Sequence, residues 1–257
     1  MASNILGAFN KGGRMDLGVW GLVIVGFAAF LAGISRTGIP GLGMALVPLV
    51  ALVMPALASM GFLLLIFVAA DLMSVVYFRR KVAWPQLFRI LPWTLVGVIL
   101  GYFAMGFVNE GTFKPILGSM ILTVVVLDFV RKRAGFEFAL ESRWFSAISG
   151  ILAGIFTMMA NAAGPIMTIY LLSMNMAKEE FIGTSAYFYF IINLVKVPLS
   201  IALGLITFSG FKLDLELTPL VALGCVAGVF IMKRVSQRFF NGLVQAIAAL
   251  GGIKLFF

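Results

Sequence analysis

The sequence predicts an all-α integral membrane protein of two inverted-topology repeats, each of five helical segments, with broken helices or helical hairpins at the midplane. Three observations carry this: the composition, the lengths of the apolar runs, and a match between the two halves of the chain. Of 257 residues, 62% are hydrophobic and 11% are charged, where ordinary soluble domains are about a quarter charged. A water-soluble fold of this size cannot hide so much apolar surface. The apolar runs come close to the ~20 residues that cross a bilayer core.

Ten helical segments are expected, over roughly 17–34, 42–57, 59–78, 90–108, 113–130, 144–159, 164–176, 181–207, 217–232 and 239–257. The second, sixth, seventh and ninth read as short for a full crossing. The eighth is long enough to tilt or kink, and Pro198 offers a kink site. The longest polar stretch, Arg131 to Arg143, reads as a connector, so no soluble domain is expected. At the N-terminus, Lys11 and Arg14 precede an apolar run with no small-residue cleavage site before Gly33. The chain is therefore expected to be mature as it stands.

The halves match in order. Ala32-Gly33-Ile34 and Gly43 correspond at one constant offset to Ala153-Gly154-Ile155 and Gly164. One residue out of that phase, Phe67 to Leu72 corresponds to Tyr189 to Leu194, which sets Asp71 opposite Asn193. Pro92, Gly97, Gly101, Val108 and Phe113 then correspond to Pro219, Gly224, Gly228, Val235 and Phe240. The offset changes only in loops. Two repeats follow, 1–131 and 132–257, and an odd number of segments in each makes the second enter from the opposite side. Loop charges agree. With the loop at Arg79-Arg80-Lys81 placed in the cytoplasm, twelve basic residues fall inside and five outside, the bias expected of cytoplasmic loops. The matching stretch of the second half, Lys212-Leu213-Asp214-Leu215-Glu216, is read as a loop without a basic cluster. Both termini then fall on the non-cytoplasmic side, where Lys11 and Arg14 fit poorly.

The net charge of +9 would suggest nucleic acid in a soluble protein, but here the basic residues sit between apolar runs and read as topology signals. With no histidine and one cysteine, Cys225, the chain lacks Ser-His-Asp and Cys-His catalysis, Cys/His metal sites and internal disulfides. No enzyme, cofactor or metal is expected, and Cys225 reads as a small packing residue.

Two places break the apolar pattern at matching positions: Ser35 to Gly43 and Thr157 to Pro165. Their Gly and Pro residues interrupt a helix and free backbone groups, which lipid tolerates only inside protein or beside a cavity. Helices starting after each break would aim positive N-terminal ends into the membrane, and two of these converging make an anion site. The other reading is two kinked helices packed through glycines, with no ligand.

Gly33-Ile34-Ser35-Arg36-Thr37-Gly38-Ile39-Pro40-Gly41-Leu42-Gly43 resembles the first signature of one branch of the sulfite exporter TauE/SafE family. That branch has Lys or Arg followed by Thr-Gly where the usual pattern has a run of glycines. Thr157, Asn161-Ala162-Ala163-Gly164-Pro165, Tyr170-Leu171-Leu172, Lys178-Glu179-Glu180-Phe181, Gly183-Thr184 and Asn193-Leu194-Val195-Lys196-Val197-Pro198 resemble the second. The resemblance spans nearly the whole chain. It implies secondary transport of a small sulfur oxyanion or organosulfonate across a bacterial inner membrane.

Three ionisable residues lie deep in the apolar segments: Arg36, Asp71 and Lys196. A charge at the bilayer centre costs about 2.5–3.5 kcal/mol on insertion scales, so each needs a partner or a wet cavity. The Arg36 guanidinium in the first break can grip two oxygens of a sulfonate or sulfite; alternatively it is a structural cap or pairs with Asp71. Lys196 lies one turn after Asn193 on the same face; it serves the anion, or pairs with Asp71 to hold the repeats together. Asp71 is a structural partner or the proton carrier. Thr157 and Asn161 line the second break or cap a helix, with Ser35 and Thr37 as their counterparts. The expected site is thus Arg36, Thr37, Gly38, Gly41, Thr157, Asn161, Ala162, Gly164, Asn193 and Lys196, with Asp71 for coupling or pairing. Expected partners are a small anion and the lipid bilayer, with no nucleic acid; proton coupling and a homo-oligomer are left open.

Overall fold

The computed structural model describes residues 17–39, 42–108, 143–174, 176–234 and 236. Every element among them is helical: α1 (Gly18–Thr37), a 3₁₀ turn (Leu42–Ala45), α2 (Leu46–Val50), α3 (Ala56–Phe78), α4 (Trp84–Met105), α5 (Arg143–Ala160), α6 (Gly164–Ser173), α7 (Lys178–Ala202) and α8 (Phe208–Arg234). Five of these are long and apolar enough to cross a membrane: α1, α3, α4, α7 and α8. The chain is a multi-pass membrane protein. Expected segments 113–130 and 239–257, the basic cluster Arg131-Lys132-Arg133, and Lys11, Arg14, Lys114, Arg238 and Lys254 lie outside the described residues.

Two expectations are corrected. The segment expected over 42–57 is only a 3₁₀ turn and the five-residue α2. Gly43 and Pro48 weaken helix there, and the residue before Pro55 is kept out of helical conformation. The chain turns at 51–54, with Ala51 and Met54 N–H groups donating to the Val47 and Val50 carbonyls. Conversely, the segment expected over 217–232 is the longest helix described, 27 residues. It takes in Lys212 to Glu216, read above as loop, because the apolar residues between the charges keep helical order. The true connection, 203–207, carries no charge.

Glycines set how the helices meet. Without an aqueous hydrophobic effect to drive them, membrane helices associate through small residues that let backbones touch. A Cβ on Gly33 would strike the Val221 carbonyl and lie 2.8 Å from Gly224 C; one on Gly224 would strike the Phe30 carbonyl. α1 therefore lies directly on α8, and both advance in the same direction, since Phe30 meets Gly224 and Ile34 meets Gly228. The same contact recurs between α4 and α5. A Cβ on Gly154 would strike the Thr94 carbonyl and lie 2.7 Å from Gly97 Cα; one on Gly97 would strike the Ile151 carbonyl, and Gly101 lies on Ile155. These are the matched residues of the two halves, each making its twin's contact.

One end of the bundle is basic. Arg79, Arg80 and Lys81 are exposed in the turn after α3. Lys178 at the start of α7 donates to the Met232 carbonyl near the end of α8 (3.1 Å), and Lys233 lies over the Tyr77 ring of α3. So α3 and α8 run toward this end, and α1, parallel to α8, does too. α4 and α7 start from it, and α5, parallel to α4, leads away from it. Exposed Trp20, Phe27, Trp93, Phe103, Leu223 and Phe230 give the bundle a lipid-facing apolar surface.

Candidate functional site

α1 stops inside the bundle. Its last residue, Thr37, packs on Gly228, roughly 9 Å short of the end of α8 at 1.5 Å per residue. There the chain leaves the helix, with Gly38 and Ile39 N–H groups both turned back to the Ile34 carbonyl and the Gly43 N–H given to Ser35 Oγ (2.9 Å). α5 stops in the same way. Asn161 adopts φ 52°, and its N–H donates to the Thr157 carbonyl (3.0 Å). This is the left-handed cap that Asn tolerates better than other residues with a Cβ. After it, α6 begins at Gly164.

Between the two ends sits a buried polar cluster. Arg36 occupies the last turn of α1, within the helix and not in the break where it was expected. Its Nε lies 3.1 Å from Asp71 Oδ1 on α3, with side-chain exposures of 11% and 0%. The pair is close without being aligned as a hydrogen bond, since neither atom has a hydrogen-bond partner among the described residues. The guanidinium lies over the Phe67 and Tyr189 rings, at 4.3 and 4.2 Å from their centroids. A desolvated cation–π contact contributes about 2 kcal/mol, which offsets much of the cost of placing Arg36 there. No described residue accepts a hydrogen bond from the outer Nη atoms.

Lys196, on α7 and 1% exposed, has no carboxylate partner among the described residues. Its Nζ donates to Asn161 Oδ1 (2.5 Å), Thr157 Oγ1 (3.1 Å) and, at the limit of reach, Asn193 Oδ1 (3.5 Å). Three donors meet three neutral acceptors. Asn193 turns its other end to Asp71, its Nδ2 donating to Oδ2 at 2.7 Å. The expected alternative of a direct Lys196–Asp71 pair is therefore replaced by an Asn193 bridge. Asn161 also donates from Nδ2 to the Met60 carbonyl on α3 (3.1 Å). With Arg36, Lys196 and Asp71 counted, the cluster carries a formal surplus of one positive charge.

The other expected residues divide. Thr37 is drawn away: its Oγ1 lies 2.8 Å from the Cys225 carbonyl and 3.0 Å from that of Gly33, which ties α1 to α8. Gly38 is a packing residue, since a Cβ there would lie 2.6 Å from Gly228 Cα. Ala162 is buried, with its N–H given to the Phe156 carbonyl. Gly164 opens the ten-residue α6, and the first break is followed by the 3₁₀ turn Leu42–Ala45 and α2. Gly41 lies outside the described residues. At the offset that pairs Gly33 with Gly154, the counterpart of Arg36 is Thr157, which displaces the expected pairing with Ser35 and Thr37.

Sequence reasoning missed the contacts of Phe67, Tyr189 and Ser74 and the burial of Asp214. Phe67 and Tyr189, the rings on Arg36, are each other's twins across the halves, and that match was the signal available. Ser74, the twin of Lys196, donates from Oγ to the Arg36 carbonyl (2.9 Å). Asp214 was placed in a loop and proves to be a buried residue of α8.

A family model described as Sulfite exporter TauE/SafE matches residues 22–255. No curated protein and no solved structure matches the chain.

Proposed function

The chain belongs to the sulfite exporter TauE/SafE family, and on that footing we propose that it is a secondary transporter for a small sulfur-containing oxyanion of the sulfite or organosulfonate class. The observation that carries the reading is the surplus positive charge at the two helix ends inside the bundle. Arg36 lies over two rings, with its outer nitrogens unclaimed by any described residue. Lys196 is buried among neutral acceptors. A lone buried cation is costly without a counter-charge, and a small oxyanion supplies it, with Arg36 gripping two oxygens and Lys196 attracting the charge. Thr157, Asn161 and Asn193 position the lysine and offer polar contacts.

The site lies between residues 1–131 and 132–257, which we read as inverted repeats. Opposite running directions of α1 and α5, of α3 and α7, and of α4 and α8 relative to the basic end support this, as do the twinned glycine contacts. Alternating access would come from rocking one repeat against the other about the charge cluster. The basic end is assigned to the cytoplasm of the inner membrane, and both termini to the opposite side.

The test is counterflow of labelled sulfite into proteoliposomes preloaded with unlabelled sulfite. Accelerated, saturable uptake is expected, lost in Arg36→Ala protein that remains folded. Unitary currents in planar bilayers would replace the carrier with a passive anion channel. Wild-type flux in Arg36→Ala would remove the site as assigned. No sulfite counterflow in folded protein would move the substrate to larger organosulfonates or carboxylates.

A further inference from the structure

On the side of the bundle away from the basic end, a groove runs between the N-terminal parts of α3 and α8. It is lined by Ala58, Gly61 and Phe62 of α3, by Leu205 and Thr207 of the connection between α7 and α8, and by Asp214. Asp214 is 5% exposed, and neither carboxylate oxygen has a hydrogen-bond donor among the described residues. Its depth from the start of α8 is roughly 9 Å at 1.5 Å per residue.

A carboxylate in such a place must be neutralised. The described parts of α1 and α3 at this level, and the connection 203–207, present no titratable side chain. On α8 itself Lys212 and Glu216 are exposed, with Lys212 turned over the Phe208 ring. Among the described residues a metal ion lacks the oxygens it needs. The only other side-chain oxygen in the lining, Thr207 Oγ1, already accepts from the Gly210 N–H (3.2 Å), and no group of three acidic, His or Cys side chains occurs among the described residues. Packing does not demand the carboxyl either. The twin of Asp214, at the offset that pairs Pro92 with Pro219, is Leu87, a fully buried apolar residue. Among the described residues, what remains is a proton.

We infer that Asp214 is a proton-binding site whose loading is coupled to the anion cluster through the second turn of α3. Gly61 lines the groove, and the carbonyl of its neighbour Met60 receives the Asn161 amide, whose oxygen in turn receives Lys196. A shift of that turn on protonation therefore reaches the lysine in two contacts. Asp214 takes H⁺ from water at the mouth formed by 205–207 and returns it to water, so one O–H bond forms and breaks in each cycle. Proton binding stands on the groove alone; its coupling to flux rests on the transporter reading.

Two measurements test this. In the infrared spectrum of the purified protein at neutral pH, Asp214→Asn should remove the carbonyl stretch of a neutral carboxyl group, and Asp214→Glu should restore one. A spectrum unaltered by Asp214→Asn means that the carboxylate is ionised and overturns the site. In proteoliposomes, Asp214→Asn should reduce accumulation of labelled sulfite driven by a pH gradient to the rate without a gradient, while counterflow stays at the wild-type rate. Wild-type gradient-driven accumulation in Asp214→Asn, or an equal loss of counterflow, overturns the coupling. Absence of counterflow in the wild type counts against the transporter reading instead, and the infrared result then still decides whether the proton is there.

Discussion

Replacing Lys196 with Gln separates the charge at the site from the hydrogen bonds that hold it. Glutamine keeps two donors for Asn161 and Thr157 but carries no charge. In Lys196→Gln the formal surplus of one positive charge disappears. A unit charge about 4 Å from an anion, at an effective dielectric near 20, contributes about 4 kcal/mol. At 1.4 kcal/mol per tenfold, the upper limit of the effect is about a thousandfold in Kd. Repacking and entering water reduce it, so a loss on the order of a hundredfold is expected. The fold should lose less, about 1–3 kcal/mol for the one acceptor left short. Titration calorimetry with sulfite in detergent gives Kd, and thermal unfolding gives the stability. An unchanged Kd with a drop in stability would refute the reasoning, since Lys196 would then be a pin between α5 and α7 and no part of an anion site.

Three further outcomes follow from the same geometry. Asp71→Asn removes the carboxylate that competes with the anion for Arg36, so sulfite should bind about tenfold tighter or more, read by the same calorimetry. Asn161→Gly preserves the left-handed φ but loses the contacts to Lys196 and Met60; it should fold and show raised KM in counterflow, whereas Asn161→Ala should also lose about 1–2 kcal/mol of stability to backbone strain. Gly33→Leu and Gly154→Leu should destabilise alike, each by about 3 kcal/mol or more, because each drives a side chain into a carbonyl of the partner helix; unequal melting losses would argue against twinned helix contacts.

How much of this was legible in the sequence depends on the distance over which each signal acts. The membrane class, the broken helices and the three deep charges follow from local composition, because lipid penalises any polar residue it meets. The pairing of helices was present in coded form: the twinned glycines 33 and 154, and 97 and 224, mark the contacts, but only the folded chain shows α1 on α8 and α5 on α4. Helix ends failed where charge was taken for a loop. Lys212, Asp214 and Glu216 suggest a connector, yet α8 carries the two exposed charges outward and turns the third inward. The polar contacts were the least legible. Thr37 and Arg36 are adjacent, and the helical turn between them sends one to the α8 backbone and the other to Asp71. No spacing rule predicts that an Asn193 amide will stand between a lysine and an aspartate.

The match between the two halves also bears on why the site has one arginine, one aspartate and one lysine. At the matching offsets Arg36 stands opposite Thr157, Asp71 opposite Asn193, and Lys196 opposite Ser74. Each twin pair holds one ionisable residue and one neutral residue that still makes a hydrogen bond. Ser74 serves the Arg36 carbonyl as Lys196 serves the Thr157 hydroxyl, and Asp71 and Asn193 bond each other directly. A strictly duplicated site would bury six ionisable groups, each costing about 2.5–3.5 kcal/mol on insertion scales. Divergence leaves three. It also divides the two cations, with Arg36 in the first half and Lys196 in the second. Neither half alone carries both cations, so on the proposed reading a bound anion would pull the halves together and its departure would free them. A rocking carrier needs that property, because an anion satisfied by one half would have no leverage on the position of the other.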